Sequence, residues 1–166
     1  MALSTKINLR VAAALTDALD LSTATDPLAY EKRLTWLSGT GADQASILWH
    51  DQRTVAASTD EDLDLAGVLT DAFGNTLTFA RVKGLLVAAA AANANNVVVT
   101  SDGAAGVPGL FAALGDGVVV RPAGLFLWVA PDATGAVVTP TTGDLLNFAN
   151  SGSGTGVTYD VIILGA

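Results

Sequence analysis

A chain of 166 residues with 51% hydrophobic and 14% charged side chains is long enough for one domain with its own core, and too apolar to stay disordered. Its net charge of −8, with Arg121 the one basic residue after Lys83, excludes the concentrated basic surface that direct nucleic-acid binding needs. The chain has no cysteine, which excludes disulfides, thiol catalysis and cysteine-based zinc sites and leaves the redox compartment open.

The opening stretch "MALSTKINLRVAAALTDALDL" interrupts its apolar residues with Lys6, Arg10, Asp17 and Asp20, which argues against a cleaved leader. Its Ala and Leu spacing is mixed: Leu15, Ala18 and Leu19 would share a helix face, but alternation is also readable. The reading is strand or irregular structure, with residues 1–30 an extended-arm candidate on a single domain spanning 1–166. No run approaches the ~20 apolar residues that cross a bilayer. The longest, Gly84 to Ala92, is too short, so no membrane partner is expected.

Ten short segments with alternation or β-branched enrichment then follow one another. They are "INLRV" from Ile7, "RLTWL" from Arg33, "SILWH" from Ser46, "TLTFARV" from Thr76, "NVVVT" from Asn96, "GVVVRP" from Gly117, "LFLWVA" from Leu125, "GAVVT" from Gly135, "DLLNFA" from Asp144 and "TYDVIIL" from Thr158. Clusters of Gly, Pro, Asp, Asn and Ser separate them. Long amphipathic crossover helices are missing, so a parallel α/β sheet is disfavoured. The expected class is all-β, an antiparallel β-sandwich or jelly roll with one or two short helical turns. Those turns are expected in "LAGVLTDAFG" from Leu65 and "GLFAALGDG" from Gly109.

The alanine-rich stretch "LLVAAAAANANNVVVT" from Leu85 tests local propensity against context. Alanine favours helix, but nothing at Gly84 could cap one, and the preceding "LTFARVKG" reads as strand. The expectation is a strand running into the alanines and reversing at Asn93 to Asn96, with Leu85 to Ala92 in the sheet core or against a sister subunit. A single helix from Leu85 to Ala94 is the alternative. The run Val161 to Leu164 suggests burial on both faces, as in a central strand or subunit contact.

Candidate chemistry is sparse. "SGSGTGVT" around Gly152 and Gly154 lacks the GK[ST] ending of a phosphate loop and reads better as a hairpin loop. His50 stands beside Asp51, but no G-x-S-x-G elbow presents a nucleophile to it. The acids Asp60, Glu61, Asp62 and Asp64 lack the glycine and distant glutamate of an EF-hand loop. They read as a solvated strand edge, with Leu63 and Leu65 on the other side. No enzymatic activity, catalytic residue, metal or cofactor is therefore assigned.

The phrases "GTGADQASILWHDQRTVAASTDEDLDLAGVLTDAFGNTLTFARVKGLLVAAAAANANNVVV", "RPAGLFLWVAPDATGAV" and "TGDLLNFANSGSGTGVTYDVIILGA" together resemble small virion structural proteins of tailed bacteriophages, over roughly Gly39 to Ala166. That resemblance implies a β-rich capsid decoration protein, commonly trimeric, which binds the major capsid protein lattice at the capsid surface after synthesis in the host cytoplasm. A tail or fibre component is the alternative within that class. From another class, a carbohydrate-binding sandwich could stack sugar on Trp49 or Trp128. Residues expected at a self-association or docking interface are Leu85, Leu86, Val87, Ala88, Trp128, Val161, Ile162 and Ile163.

Overall fold

The computed structural model describes residues 2–166, and among them every regular element is a β-strand. The strands are β1 (Thr5–Ala18), β2 (Thr23–Trp36), β3 (Ile47–Val55), β4 (Asp60–Asp64), β5 (Ala66–Thr70), β6 (Thr76–Thr78), β7 (Arg81–Ala89), β8 (Val97–Ser101), β9 (Gly117–Val120), β10 (Leu125–Val129), β11 (Ala136–Val137), β12 (Leu145–Asn150) and β13 (Val157–Gly165). A five-stranded sheet has the order β10-β7-β13-β3, with β11 also on β7. A four-stranded sheet runs β4-β12-β8-β9, and β1-β2 and β5-β6 form separate two-stranded ribbons. All these pairings are antiparallel.

Alternation decides what each large sheet buries. On β7 and β13, Leu85, Val87, Tyr159, Val161 and Ile163 enter the core, and on β4, β8 and β12 so do Leu63, Val97, Val99, Leu146 and Phe148. Phe148 and Tyr159, one from each sheet, stack with ring centroids 4.7 Å apart and planes 8° from parallel. Arg53 of β3 donates to Glu61 of β4 through Nε (2.9 Å) and Nη2 (2.6 Å), and the Tyr159 hydroxyl donates to the same carboxylate at 2.9 Å. Burial, with Glu61 beside it, raises the pKa of Tyr159 and keeps its hydroxyl a donor.

The alanine stretch is strand through Ala89, and the chain turns from Ala90, whose carbonyl accepts from the Asn93 amide. Ala91 and Ala92 are exposed in that turn, not in the sheet core, because the pairing of β7 with β13 stops at Ala89↔Tyr159. Asn93 then ties the turn to the sheet: its side chain donates to the Thr158 carbonyl and accepts from the Thr158 amide, each at 2.8 Å.

Neither expected helical turn is present. From Leu65, β5 and β6 form a hairpin whose loop is organised by Asp71, which accepts from the amides of Phe73 (2.8 Å) and Asn75 (2.9 Å). Such side-chain capture of backbone donors competes with helix formation. From Gly109, positive φ at Gly109 (83°) and Gly115 (82°) bends the chain at both ends of the segment. Buried Leu110 and the stacking of Phe111 on Phe126 hold it against the core as an irregular loop.

Asp102 and Asp132 organise loops in the same way, accepting from Ala105 and Ala104 and from Gly135 and Thr134. These backbone donors hold both carboxyls below the usual carboxylate range, and the Asn75 side chain leads the same effect at Asp71. A native-state pKa below the unfolded value means that stability is fully present above about pH 4 and lost as pH falls through the native values. We expect the urea midpoint to be flat from pH 7 to 5 and to fall below pH 4, with a shallower acid limb in the triple variant Asp71→Asn, Asp102→Asn, Asp132→Asn.

Candidate functional site

The sequence candidates for chemistry do not converge. His50 lies on β3, an edge strand, paired in register with Ile162. Its neighbour Asp51 instead accepts from the Gln52 amide at 2.9 Å and from Arg53 at 3.1 Å. A groove of about 950 Å³ opens between β3 and the β4–β6 region, lined by Trp49, His50, Asp62, Asp64, Leu69 and Phe73 among others. Its acids are engaged by the chain itself: Asp62 accepts from Asn147 Nδ2 at 2.9 Å and Asp64 from the Ala66 amide at 2.8 Å. Asp60 shares the same Asn147 donor at 2.7 Å. Among the described residues no three His, Asp or Glu side chains are grouped to hold a metal ion.

Two other motifs find structural places. β4, with Asp60, Glu61, Asp62 and Asp64, is an edge of the four-stranded sheet, while Leu63 and Leu65 are buried. The glycine-rich stretch is not a hairpin loop: it carries the chain from β12 in the four-stranded sheet to β13 in the five-stranded one. Asn150 anchors the crossing by donating to the carbonyls of Ala56 (3.1 Å) and Thr155 (2.8 Å).

The eight interface residues divide by the period of the strand. Leu85, Val87, Val161 and Ile163 are fully buried in the chain's own core, so these four are corrected from interface to core, while Trp128 packs against that core and stays partly exposed. Leu86, Ala88 and Ile162 lie on the opposite, outer face of the same sheet. There Leu127, Leu86, Ile162 and His50 form one row across four strands, and Leu125, Ala88, Asp160 and Gln52 the next. Leu125 is 60% exposed and Ile162 36%. With strands ~4.8 Å apart and a rise of ~3.4 Å per residue, the five apolar positions of these two rows cover roughly 160 Å².

A third row, Val129, Gly84 and Leu164, is covered by Trp36 at the root of the β1–β2 ribbon. Gly84 allows the close approach: a Cβ there would lie 3.2 Å from Leu164 and 3.6 Å from the indole. Leu164 pairs with Gly84 and Gly165 with Val82, so Lys83 is the extra residue of a β-bulge. The bulge directs buried Lys83 to the Gly41 carbonyl at 2.5 Å, with its ammonium 5.8 Å from the Trp36 ring. Burial lowers the pKa of Lys83, and Asp132 and Asp43 oppose that shift.

Beyond this root the ribbon leaves the body. Its fourteen pairs run from Thr5↔Trp36 to Ala18↔Thr23, so it reaches ~45 Å at ~3.3 Å per residue. One face carries Ile7, Leu9, Val11 and Leu15 of β1 with Leu34, Tyr30 and Leu28 of β2. Leu15 is 74% exposed, Leu28 55% and Tyr30 52%. The other face carries Lys6, Asn8, Arg10 and Thr16 with Thr35, Arg33, Glu31 and Thr25. The apolar stripe therefore continues from the Trp36 cluster on the sheet out along the ribbon.

The chain matches no protein-family model, no curated protein and no solved structure.

Proposed function

We propose that this protein does structural work by presenting surface to other subunits, and that it is a tailed-bacteriophage virion protein of the capsid decoration type. The observation that carries the assembly reading is the amphipathic β1–β2 ribbon, whose apolar face is exposed in the single chain. An isolated two-stranded ribbon is marginal in water, so a partner surface is the natural source of its stability. Its continuity with the outer row of Leu86 and Ile162 supports one extended docking surface. The virion assignment rests on the resemblance of Gly39 to Ala166, and the major capsid protein lattice is the partner it implies. The two large sheets, which share one hydrophobic cluster, are read as a β-sandwich.

A carbohydrate-binding role is less well supported. Trp36 and Trp49 are buried and Trp128 is partly buried against the core, so Trp49 is removed as a sugar-stacking platform and Trp128 alone is left for that role.

Mass spectrometry of purified virions, with copy number, tests the reading. Hundreds of copies per particle are expected; a few copies would move the protein to the tail or fibre, and absence from virions would remove the assignment. In parallel, Ile162→Asp places a charge on the outer face without touching the core and should abolish particle binding while the protein stays folded.

A further inference from the structure

We propose that the β1–β2 ribbons of two copies pair antiparallel and face to face about a two-fold axis, so that each ribbon covers the other's apolar stripe. This goes beyond the virion reading and does not depend on it, and its unit is a dimer instead of the trimer that the resemblance implies.

The ribbon carries the argument in its own charge pattern. Lys6, Arg10, Lys32 and Arg33 against Glu31 leave the half nearest the body at +3, while Asp17, Asp20 and Asp26 leave the tip at −3. The ribbon is thus neutral in sum, and the rest of the chain holds the whole net charge of −8. An acidic tip is repelled by the acidic body of a neighbour and by a second tip, but attracted to the basic half of a second ribbon. A parallel pair would stack tip on tip; an antiparallel pair sets each tip on the other's basic half.

The side-chain levels of the apolar face agree with this register. They run Ile7/Leu34, Leu9/Lys32, Val11/Tyr30, Ala13/Leu28 and Leu15/Asp26 from root to tip. A two-fold axis between the Val11/Tyr30 and Ala13/Leu28 levels lays β1 over β1 and β2 over β2. Leu9 then meets Leu15, Val11 meets the small Ala13, and Tyr30 meets Leu28. This face carries three charges, Lys32, Asp26 and, at the next level toward the tip, Asp17. Lys32 and Asp26 fall opposite each other twice per dimer, and Asp17 falls opposite Ile7 at either end of the paired stripe.

Lateral strand addition would not serve the same end. Pro27 has no amide to donate and interrupts the β2 edge, and edge pairing would leave the leucines exposed. A face ~45 Å by ~10 Å on each copy buries on the order of 1,000 Å² in total, about the lower limit for a specific interface.

Sedimentation velocity on the full chain tests the pairing. Wild type is expected as a dimer. Asp26→Lys and Lys32→Asp, both at exposed positions of the ribbon, each place like charges opposite each other twice and should raise the dimer dissociation constant by roughly 100-fold, with an unchanged circular dichroism spectrum. An equimolar mixture of the two variants restores both contacts and should return to dimer. A monomeric or trimeric wild type, or a dimer indifferent to both substitutions, would overturn the proposal.

Discussion

Phe148→Ala is expected to lower the free energy of unfolding by about 3–5 kcal/mol, the range for removing a fully buried aromatic ring from a packed core. Phe148 lies on β12 in the four-stranded sheet and stacks on Tyr159 of β13 in the five-stranded one. Both rings are completely buried. Truncation therefore leaves a cavity where the two sheets meet and removes a stacking contact of about 0.5–1.5 kcal/mol. It also loosens the packing that holds the Tyr159 hydroxyl on Glu61, which in turn receives Arg53. Urea denaturation measures the loss, and Phe148→Leu, which refills most of the volume, should recover more than half of it. A change below 1 kcal/mol in Phe148→Ala would show that the sheets do not depend on this contact.

Trp36→Ala is expected to have a loss of similar size, about 3–5 kcal/mol, but distributed differently. Trp36 is buried, packs with Ala45 and Leu164, and has Leu3, Ile7 and Val129 around it. This small cluster is separate from the main core and lies at the root of the ribbon. Its removal also strips the aromatic face from buried Lys83, a contact worth about 0.5–2 kcal/mol. Hydrogen exchange should show the amides of β1 and β2 losing protection first, while those of β7, β12 and β13 remain the slowest. Uniform loss of protection across all strands would instead make the ribbon and the body one cooperative unit.

The all-β class was legible because most strands are half-buried, and a half-buried strand carries alternation in its residues. β8, β12 and β13 are clear cases: Val97 and Val99, Leu146 and Phe148, and Val157 to Ile163 alternate between core and surface. The acidic β4 edge was readable for the same reason at Asp60, Asp62 and Asp64, with Leu63 buried between the last two. Glu61 instead falls on the Leu63 side and accepts from Arg53 and Tyr159 between the sheets. Thr23 to Tyr30 was not readable. It contains Asp26 and Pro27, and a strand with neither face buried in its own chain lacks the composition that burial selects.

The failure at β5 and at Gly109 has a different origin. Leu65 to Gly74 and Gly109 to Gly117 have helix-compatible composition, and what prevents helix is local hydrogen bonding by Asp71 and Asp116 together with glycine conformation. Such competition depends on which donor a carboxylate reaches, which spacing alone does not reveal. The interface residues failed by half for a geometric reason. An apolar run such as Leu85 to Ala88 or Val161 to Ile163 fills both faces of a strand, and only the register shows that the odd-numbered members are covered by the chain itself.

The strand order of the five-stranded sheet also bears on how the chain folds. β13 lies between β7 and β3, so those two strands have no direct pairing and are joined only through residues 157–165. Sheet growth therefore cannot proceed by adding each new strand to the one before it. Residues near 50 and near 85 must wait for a segment about 114 and 78 positions later, as in Trp49↔Ile163 and Leu85↔Ile163. Closure of such distant contacts favours folding in milliseconds to seconds over microseconds. Until β13 inserts, β3 and β7 each hold an open hydrogen-bonding edge, and during that interval the nascent chain is most exposed to pairing with another copy of itself.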